Sequence, residues 1–514
     1  MKSFPSEDHA TKQRGLAGQW ANRTLAAGGL FILAATLFPF QFFPQDISSR
    51  RSAAFLHWLS TDLASFQDFG ENILLFVPFG FGLACFVCQK RRGTIPTFIT
   101  AVLAGACASF FGELLQVFLP TRDPSWRDVA SNTTGSVMGS VCFQLLAGSI
   151  LHSLSDLEAK IEELLPLRRA TAAFLCYAAL GILISVSLQR ATSLSTWDPA
   201  YPLFLGNDPT GTRPWQGRIF EMEIASRAIS ARRAMEIATN RLPLSMDDGA
   251  VASYRPSGNL EFRDATGSSP EFSWNSQPAL GLPQKELVLT GQAWLGSRIP
   301  AAKIAESARR TNQFTVRVVC AAALRNEAPF GRIVSFSQDS DHLNFILSQK
   351  KQNLVFGFRT PLTGEEGEPA LIAPNVFATT DRRDILLTYD GSTLRLYLNG
   401  KQDAHSLRLS PGAVFFHPFF RLRMFDLRGY AVVYETFLFV PLGVLLAIVS
   451  RSMNYGSLGN KALLLVGAIF PASLLEIALA GVRRNSFDMT NLLLGICLTL
   501  GAVAFCHLDG NRIS

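Results

Sequence analysis

Apolar positions along this chain do not alternate evenly with polar ones. They gather in runs of about 18 to 25 residues, the length a helix needs to cross a hydrocarbon core about 30 Å thick. Five such runs precede residue 190, at roughly 24–43, 70–88, 95–119, 130–151 and 170–188, and three follow residue 429, at roughly 430–449, 462–480 and 487–506. The pattern predicts an α-helical polytopic membrane bundle of about eight spans. Between the two sets the period changes. Segments 314–319, 332–337, 343–347 and 354–358 are short, rich in β-branched and aromatic residues and bounded by turn residues, as the strands of an antiparallel sandwich are. Segments 385–389 and 394–398 flank Asp390-Gly391-Ser392, and Asn399-Gly400 follows. Asp-Gly and Asn-Gly supply the positive φ angles of tight hairpin turns. The expected organisation is a first membrane section over 1–189, an inserted all-β sandwich over 190–428 and a second membrane section over 429–514.

Composition agrees with a membrane protein. Of 514 residues 48% are hydrophobic, and the mean hydropathy is +0.21. The net charge of +7 is accounted for by residues flanking the spans. Lys2, Lys12, Arg14 and Arg23 precede the first run, Lys90, Arg91 and Arg92 follow the second, and Lys160, Arg168 and Arg169 follow the fourth. Basic residues of short loops stay on the cytoplasmic side, so alternation of the spans puts the sandwich outside the inner (cytoplasmic) membrane, with Arg451 and Lys461 inside. Arg50, Arg51, Arg483 and Arg484 fall on the opposite side. No basic stripe with interleaved aromatics is present, which speaks against a nucleic-acid partner. The first run carries Phe38, Phe40, Phe42 and Phe43 and has no small-residue cleavage site, so it reads as a retained helix. Seven of eight cysteines lie in the membrane runs; Cys320 alone lies in the sandwich, which leaves that domain no internal disulfide. Cys85 and Cys88 sit in an apolar helix without a redox or zinc context and read as packed thiols.

One polar group stands out against the apolar background. Glu113 and Gln116 lie in the third run, Arg122, Arg127 and Asp128 follow it, and Asn132 opens the fourth. Ionisable groups at membrane depth are costly, so they face a bundle interior or an aqueous cavity and are candidates for function. Glu113 and Gln116 are three apart on one helix face, Asp128 and Asn132 four apart on another, and Asn72, beside Glu71, starts the second run from the same side. Asn72, Glu113, Gln116, Arg122, Asp128 and Asn132 are therefore expected to converge near the outer boundary, with Arg122 or Arg127 available to a phosphate. The alternative is structural: Asn72, Gln116 and Asn132 bond to neighbouring helices, and Glu113 pairs with Arg122. Gly135 and Gly139, spaced as G-x-x-x-G, point to close helix packing.

The two membrane sections repeat a pattern. Phe76-Val77-Pro78-Phe79-Gly80 returns as Phe439-Val440-Pro441-Leu442-Gly443, and each is followed by a helix with one acid, Glu113 or Glu476. Asp128 and Asn132 are matched by Asp488 and Asn491, one residue closer together, and Leu479 takes the place of the glutamine. The second section reads as a degenerate partner. Asn72 with Phe-Val-Pro-x-Gly, Glu113-x-x-Gln116, the following arginine, and Asp128-x-x-x-Asn132-x-x-Gly135 together resemble the VanZ-like membrane family over about residues 24–150, and Phe38-Pro39-Phe40 fits the same pattern. That resemblance implies a connection with glycopeptide-antibiotic resistance.

In the sandwich, Tyr389-Asp390-Gly391-Ser392 and Leu394-Arg395-Leu396-Tyr397-Leu398-Asn399-Gly400 resemble laminin-G and concanavalin-like lectin domains over about 312–425. The resemblance implies glycan or protein binding, sometimes with calcium. Trp215-Gln216-Gly217-Arg218-Ile219-Phe220 looks like the strand that closes such domains, but here it comes first, as if permuted. Asp339 and Asp341 do not make a full calcium loop, and no metal or cofactor site is assigned. The expected partners are the lipid bilayer and an extracytoplasmic glycan or lipid-linked envelope precursor. The rivals are a membrane enzyme, with Glu113 or Asp128 as general base and Arg122 as anion clamp, and a structural scaffold.

Overall fold

Helix-forming runs and strand-forming segments separate in the computed structural model, which describes residues 20–30, 32–33, 36, 66–90, 93–116, 125–256, 262–276, 286–323, 330–417, 427–453, 457–484 and 487–507. Helices α1 (Phe66–Lys90), α2 (Thr94–Gln116), α3 (Trp126–Leu164) and α4 (Leu167–Arg190) come first. The β-rich region holds three short helices, α5 (Ala231–Asn240), α6 (Ala302–Thr311) and α7 (Pro411–Phe416), and is followed by α8 (Leu427–Ser452), α9 (Ser457–Arg483) and α10 (Met489–His507). Among the described residues seven helices are long and apolar enough to cross a membrane, so the chain is a multi-pass membrane protein in a lipid bilayer. Half of the first expected run, including Phe38-Pro39-Phe40, lies outside the described residues.

The chain divides into two compact units, a helical one formed by residues up to 184 with 422–477 and 487–514, and a β-rich one formed by 185–421 with 478–486. In the helical unit α1 packs on α3 and α2, and α8 packs on α10. Small residues make this possible. A Cβ on Gly139 would run into the Val77 carbonyl and lie 2.6 Å from the Phe81 nitrogen, and one on Gly135 would lie 2.8 Å from Cβ of Phe76, so α1 and α3 touch backbone to backbone. Pro78, Pro441 and Pro471 sit inside helices, as proline can where neighbouring helices take up the freed carbonyls. Leu74, Leu103, Leu145, Leu183 and Phe470 are exposed apolar side chains on these helices, the surface that lipid solvates.

The β-rich unit is a sandwich of two antiparallel sheets. Its strands are β1 (Leu203–Leu205), β2 (Gln216–Ala225), β3 (Ala250–Pro256), β4 (Phe262–Asp264), β5 (Phe272–Trp274), β6 (Leu287–Thr290), β7 (Leu295–Ser297), β8 (Phe314–Ala322), β9 (Gly331–Ser337), β10 (Leu343–Lys350), β11 (Asn353–Phe358), β12 (Leu371–Ala373), β13 (Arg383–Tyr389), β14 (Thr393–Leu398) and β15 (Lys401–Arg408). One sheet runs β12-β11-β10-β9-β1-β7-β5; the other runs β15-β14-β13-β8-β2-β3-β4, with β6 also on β2. Between them Phe314 of β8 packs on Phe345, Phe356 and Phe358 of the facing sheet, and Trp197 and Tyr389 complete the aromatic core. Gly391, with φ 92°, and Asn399 and Gly400, with φ 50° and 81°, form the two expected turns. Asp390 Oδ1 accepts the N–H groups of Ser392 and Thr393. Burial opposes its ionisation, but Arg395 and these N–H donors hold the carboxyl below the usual range.

The early Gly217 strand belongs to the sandwich. Strand β2 lies in mid-sheet, bonded to β8 from Gly217↔Ala322 to Ala225↔Thr315 and to β3 on its other side. Gly217 is required there because a Cβ would meet the Trp215 indole and the Ala321 carbonyl at 2.6 Å. On the outer face of this sheet the amphipathic α5 buries Ala234 and Ile237 against Leu386 and Tyr397. Ser230 caps its N-terminus, and Arg241, in the left-handed conformation, ends it.

Candidate functional site between three membrane helices

The face α2 buries repeats nearly every fourth residue: Thr97, Ala101, Gly105, Ser109, Glu113 and Gln116. This spacing forms one stripe along the helix. Its N-terminal half is small, which lets α3 approach: a Cβ on Gly105 would lie 2.6 Å from Cβ of Ser136. Its C-terminal half is polar, and it meets a second polar stripe, Asn132, Ser136 and Ser140, on α3. The Asn132 amide donates to Ser109 Oγ at 3.0 Å. Ser140 Oγ donates to the Ser136 carbonyl at 2.9 Å.

Glu113, 2% exposed, reaches across to the start of α3, where its Oε2 accepts the backbone N–H of Ser125 at 3.0 Å. Ser125 is the helix cap, its Oγ accepting the Arg127 N–H at 3.1 Å. In the first turn of α3, Asp128 Oδ1 accepts from the Asn72 amide of α1 at 2.8 Å. The structure thus brings Asn72 to Asp128, Glu113 to the cap of the Asp128 helix, and Asn132 to the Glu113 stripe, where Gln116 is also buried. Arg127 is exposed at the first turn of α3, and Arg122 lies outside the described residues. Two buried polar atoms in this group have no hydrogen-bond partner among the described residues: Oδ1 of Asn132, 3% exposed, and Oγ of Ser136, fully buried. Ser109, Ser125 and Ser136 were not singled out from sequence, although Ser109 and Ser136 each lie one helical turn from a residue that was, and i, i+4 spacing would have found both.

The second section carries the same frame. Glu476 Oε1 accepts the backbone N–H of Asp488 at 2.8 Å, and acceptor and donor are twelve residues apart in both sections. Asp488 then caps α10 as Ser125 caps α3, accepting the Thr490 N–H at 3.0 Å. A Cβ on Gly80 would strike the Ser136 carbonyl, and one on Gly443 the Thr499 carbonyl. Pro78 and Pro441, Gly80 and Gly443, Glu113 and Glu476, Ser125 and Asp488, and Ser136 and Thr499 all stand at one constant interval. This corrects the register expected from sequence. Asp488 answers to Ser125 rather than Asp128, Asn491 answers to Asp128, and no residue is missing. Asn72 is matched by Glu435, so the acid and the amide of that pair change helices between sections. The remaining polar lining is not kept: Ser109, Gln116 and Asn132 become Ala472, Leu479 and Gly495.

Asp339 Oδ1 accepts the backbone N–H groups of Asp341 and His342, a local turn. Among the described residues no group of three or more His, Cys, Asp or Glu is arranged to hold a metal.

No curated protein and no solved structure matches the chain. The family model VanZ/LLP1 matches residues 3–147, the part that contains α1, α2, the polar start of α3 and the cluster described above, and over that part the chain is similar to VanZ/LLP1 proteins.

Proposed function

We propose that the chain is an inner-membrane receptor in which the first three-helix section holds the polar head of a lipid-linked envelope component, while the sandwich, on the extracytoplasmic side, engages a glycan or protein of the envelope. The observation that carries this reading is the Asn132 carbonyl oxygen, buried in the apolar interior of a membrane bundle and without a hydrogen-bond donor among the described residues. An unpaired buried acceptor costs about 1–3 kcal/mol, which a ligand hydroxyl or ammonium group offsets on binding. Oγ of Ser136, one turn inward, adds a second acceptor. The second section supports the same reading by contrast, since it keeps the glutamate, the cap and the close glycine but has Gly495 and Ala472 where Asn132 and Ser109 stand. Glu113 is then a positioning residue. Protection of a lipid-linked component is the form in which the likeness to VanZ-like proteins bears on glycopeptide resistance.

Native mass spectrometry of the detergent-extracted protein tests this. Asn132→Ala combined with Ser136→Ala is expected to lower the fraction of molecules carrying a co-purified amphiphile at least fivefold. Thr499→Ala, the equivalent loss in the second section, is expected to leave it unchanged. Equal retention in all three proteins would refute the site.

A further inference from the structure

A cavity of about 290 Å³ opens on the outer face of the eight-stranded sheet at the C-terminal end of α5, lined by Ala238, Arg241, Arg317, Val319, Arg382, Asp384 and Asn399. We propose that it binds an anionic saccharide unit, its charge carried by carboxylate or phosphate. This rests on the sandwich being the envelope-binding part and is independent of the membrane site.

The arginine of the floor is already matched by carboxylates. Arg317, 2% exposed, is gripped by Asp384 through Nε and Nη2 at 3.0 and 2.7 Å and by Glu223 at 3.0 Å, and donates to the Leu242 carbonyl at 2.9 Å. Asp384, the one acid in the wall, is spent on that grip. The mouth is not neutral. Arg241 and Arg382 are both exposed, and neither has a carboxylate partner among the described residues. Arg382 is nonetheless held in place, its guanidinium 4.7 Å from the centre of the Phe220 ring. Arg241 occupies the helix-ending position at φ 51°, where glycine would be the less strained choice. Asn399 Oδ1 accepts the Asp384 N–H at 2.9 Å, which leaves the Asn399 NH₂ as a donor at the rim. Two exposed guanidinium groups above a polar floor, one of them held over the Phe220 ring, suit a bidentate anion. The cavity volume suits one sugar ring, whose hydroxyls match the Asn399 amide at the rim.

Binding to the full chain in detergent decides it, measured by calorimetry with four probes: an oligogalacturonide, its neutral methyl ester, glucose 6-phosphate and inorganic phosphate. At least one of the charged sugars is expected to bind, and which of them binds tighter identifies carboxylate or phosphate as the anion. Arg382→Ala with Arg241→Gly is expected to weaken that binding at least tenfold, and glycine at 241 relieves the backbone rather than straining it. Equal binding of the methyl ester would overturn the anionic class, and equal binding of inorganic phosphate the saccharide. Binding unchanged in the double variant would overturn the location. If no probe binds, the proposal falls, while retention of an amphiphile by the membrane section is read separately.

Discussion

Replacing Gly139 with leucine is expected to disrupt the helical unit, whereas the same change at Gly148, on the same helix, is expected to be silent. A Cβ at 139 meets backbone atoms of α1 at Val77 and Phe81, which cannot rotate away, while one at 148 meets nothing within 4 Å. Overpacking of a core costs about 1–3 kcal/mol when side chains can yield. Here the neighbour is backbone, so the effect is placed at about 3 kcal/mol or more, beyond that range. Size-exclusion chromatography of detergent extracts over a temperature series gives the answer. Gly139→Leu should yield aggregate or a sharply lowered midpoint, and Gly148→Leu the parent profile. If Gly139→Leu keeps the parent midpoint, α1 and α3 do not pack backbone to backbone.

The second large effect is expected at Arg317, at the centre of the ion network on the outer face of the sandwich. Burial by itself would make the guanidinium easier to deprotonate, but Asp384 and Glu223 outweigh it and hold the pKa above its ordinary value. Arg317→Ala leaves Glu223, which has no exposed surface, with Arg255 at 3.4 Å as its one cation among the described residues, beside the Leu244 N–H and the Ser253 hydroxyl. Removing one partner of a buried pair costs about 3–5 kcal/mol because the other charge stays buried. Arg232→Ala, which breaks an exposed pair with Glu236 on α5, should change stability by no more than about 0.5 kcal/mol. Near-ultraviolet circular dichroism during urea unfolding separates the two, with the midpoint of Arg317→Ala well below that of Arg232→Ala. Coincident midpoints would mean that the network contributes nothing beyond its surface pairs.

How much of this could be read from sequence depended on how local the signal was. The membrane helices announced themselves because twenty or so apolar residues in a row have one economical use. Strands β8 to β11, β13 and β14 were legible because both their composition and the Asp-Gly and Asn-Gly turns agree. Strand β15, with the sequence KQDAHSLR, was not, since it is a polar edge whose pairing with β14 alone makes it a strand. Helix α5 was missed because a single amphipathic segment of ten residues is outweighed by the strand signals around it. In the candidate site, Asn72, Glu113, Asp128 and Asn132 were visible as polar exceptions in apolar runs. Their pairing was not, because it depends on which helix faces meet. The most instructive miss is the register of the repeat. Matching Asp to Asp aligned residues of like type, whereas the fold matches a serine cap to an aspartate cap, two side chains that accept the same backbone hydrogen.

The most direct test is to remove the two glutamates one at a time and read stability and retained amphiphile from the same preparations. Glu113→Ala and Glu476→Ala each leave a helix-cap N–H without its carboxylate acceptor, so the two thermal midpoints should fall by similar amounts, equivalent to about 1–3 kcal/mol. Retained amphiphile should drop in Glu113→Ala and persist in Glu476→Ala, because only the first section builds a polar site on the shared frame. A tolerated Glu476→Ala beside a damaging Glu113→Ala would contradict the common frame, and equal loss of amphiphile in both would contradict the placement of the site in the first section.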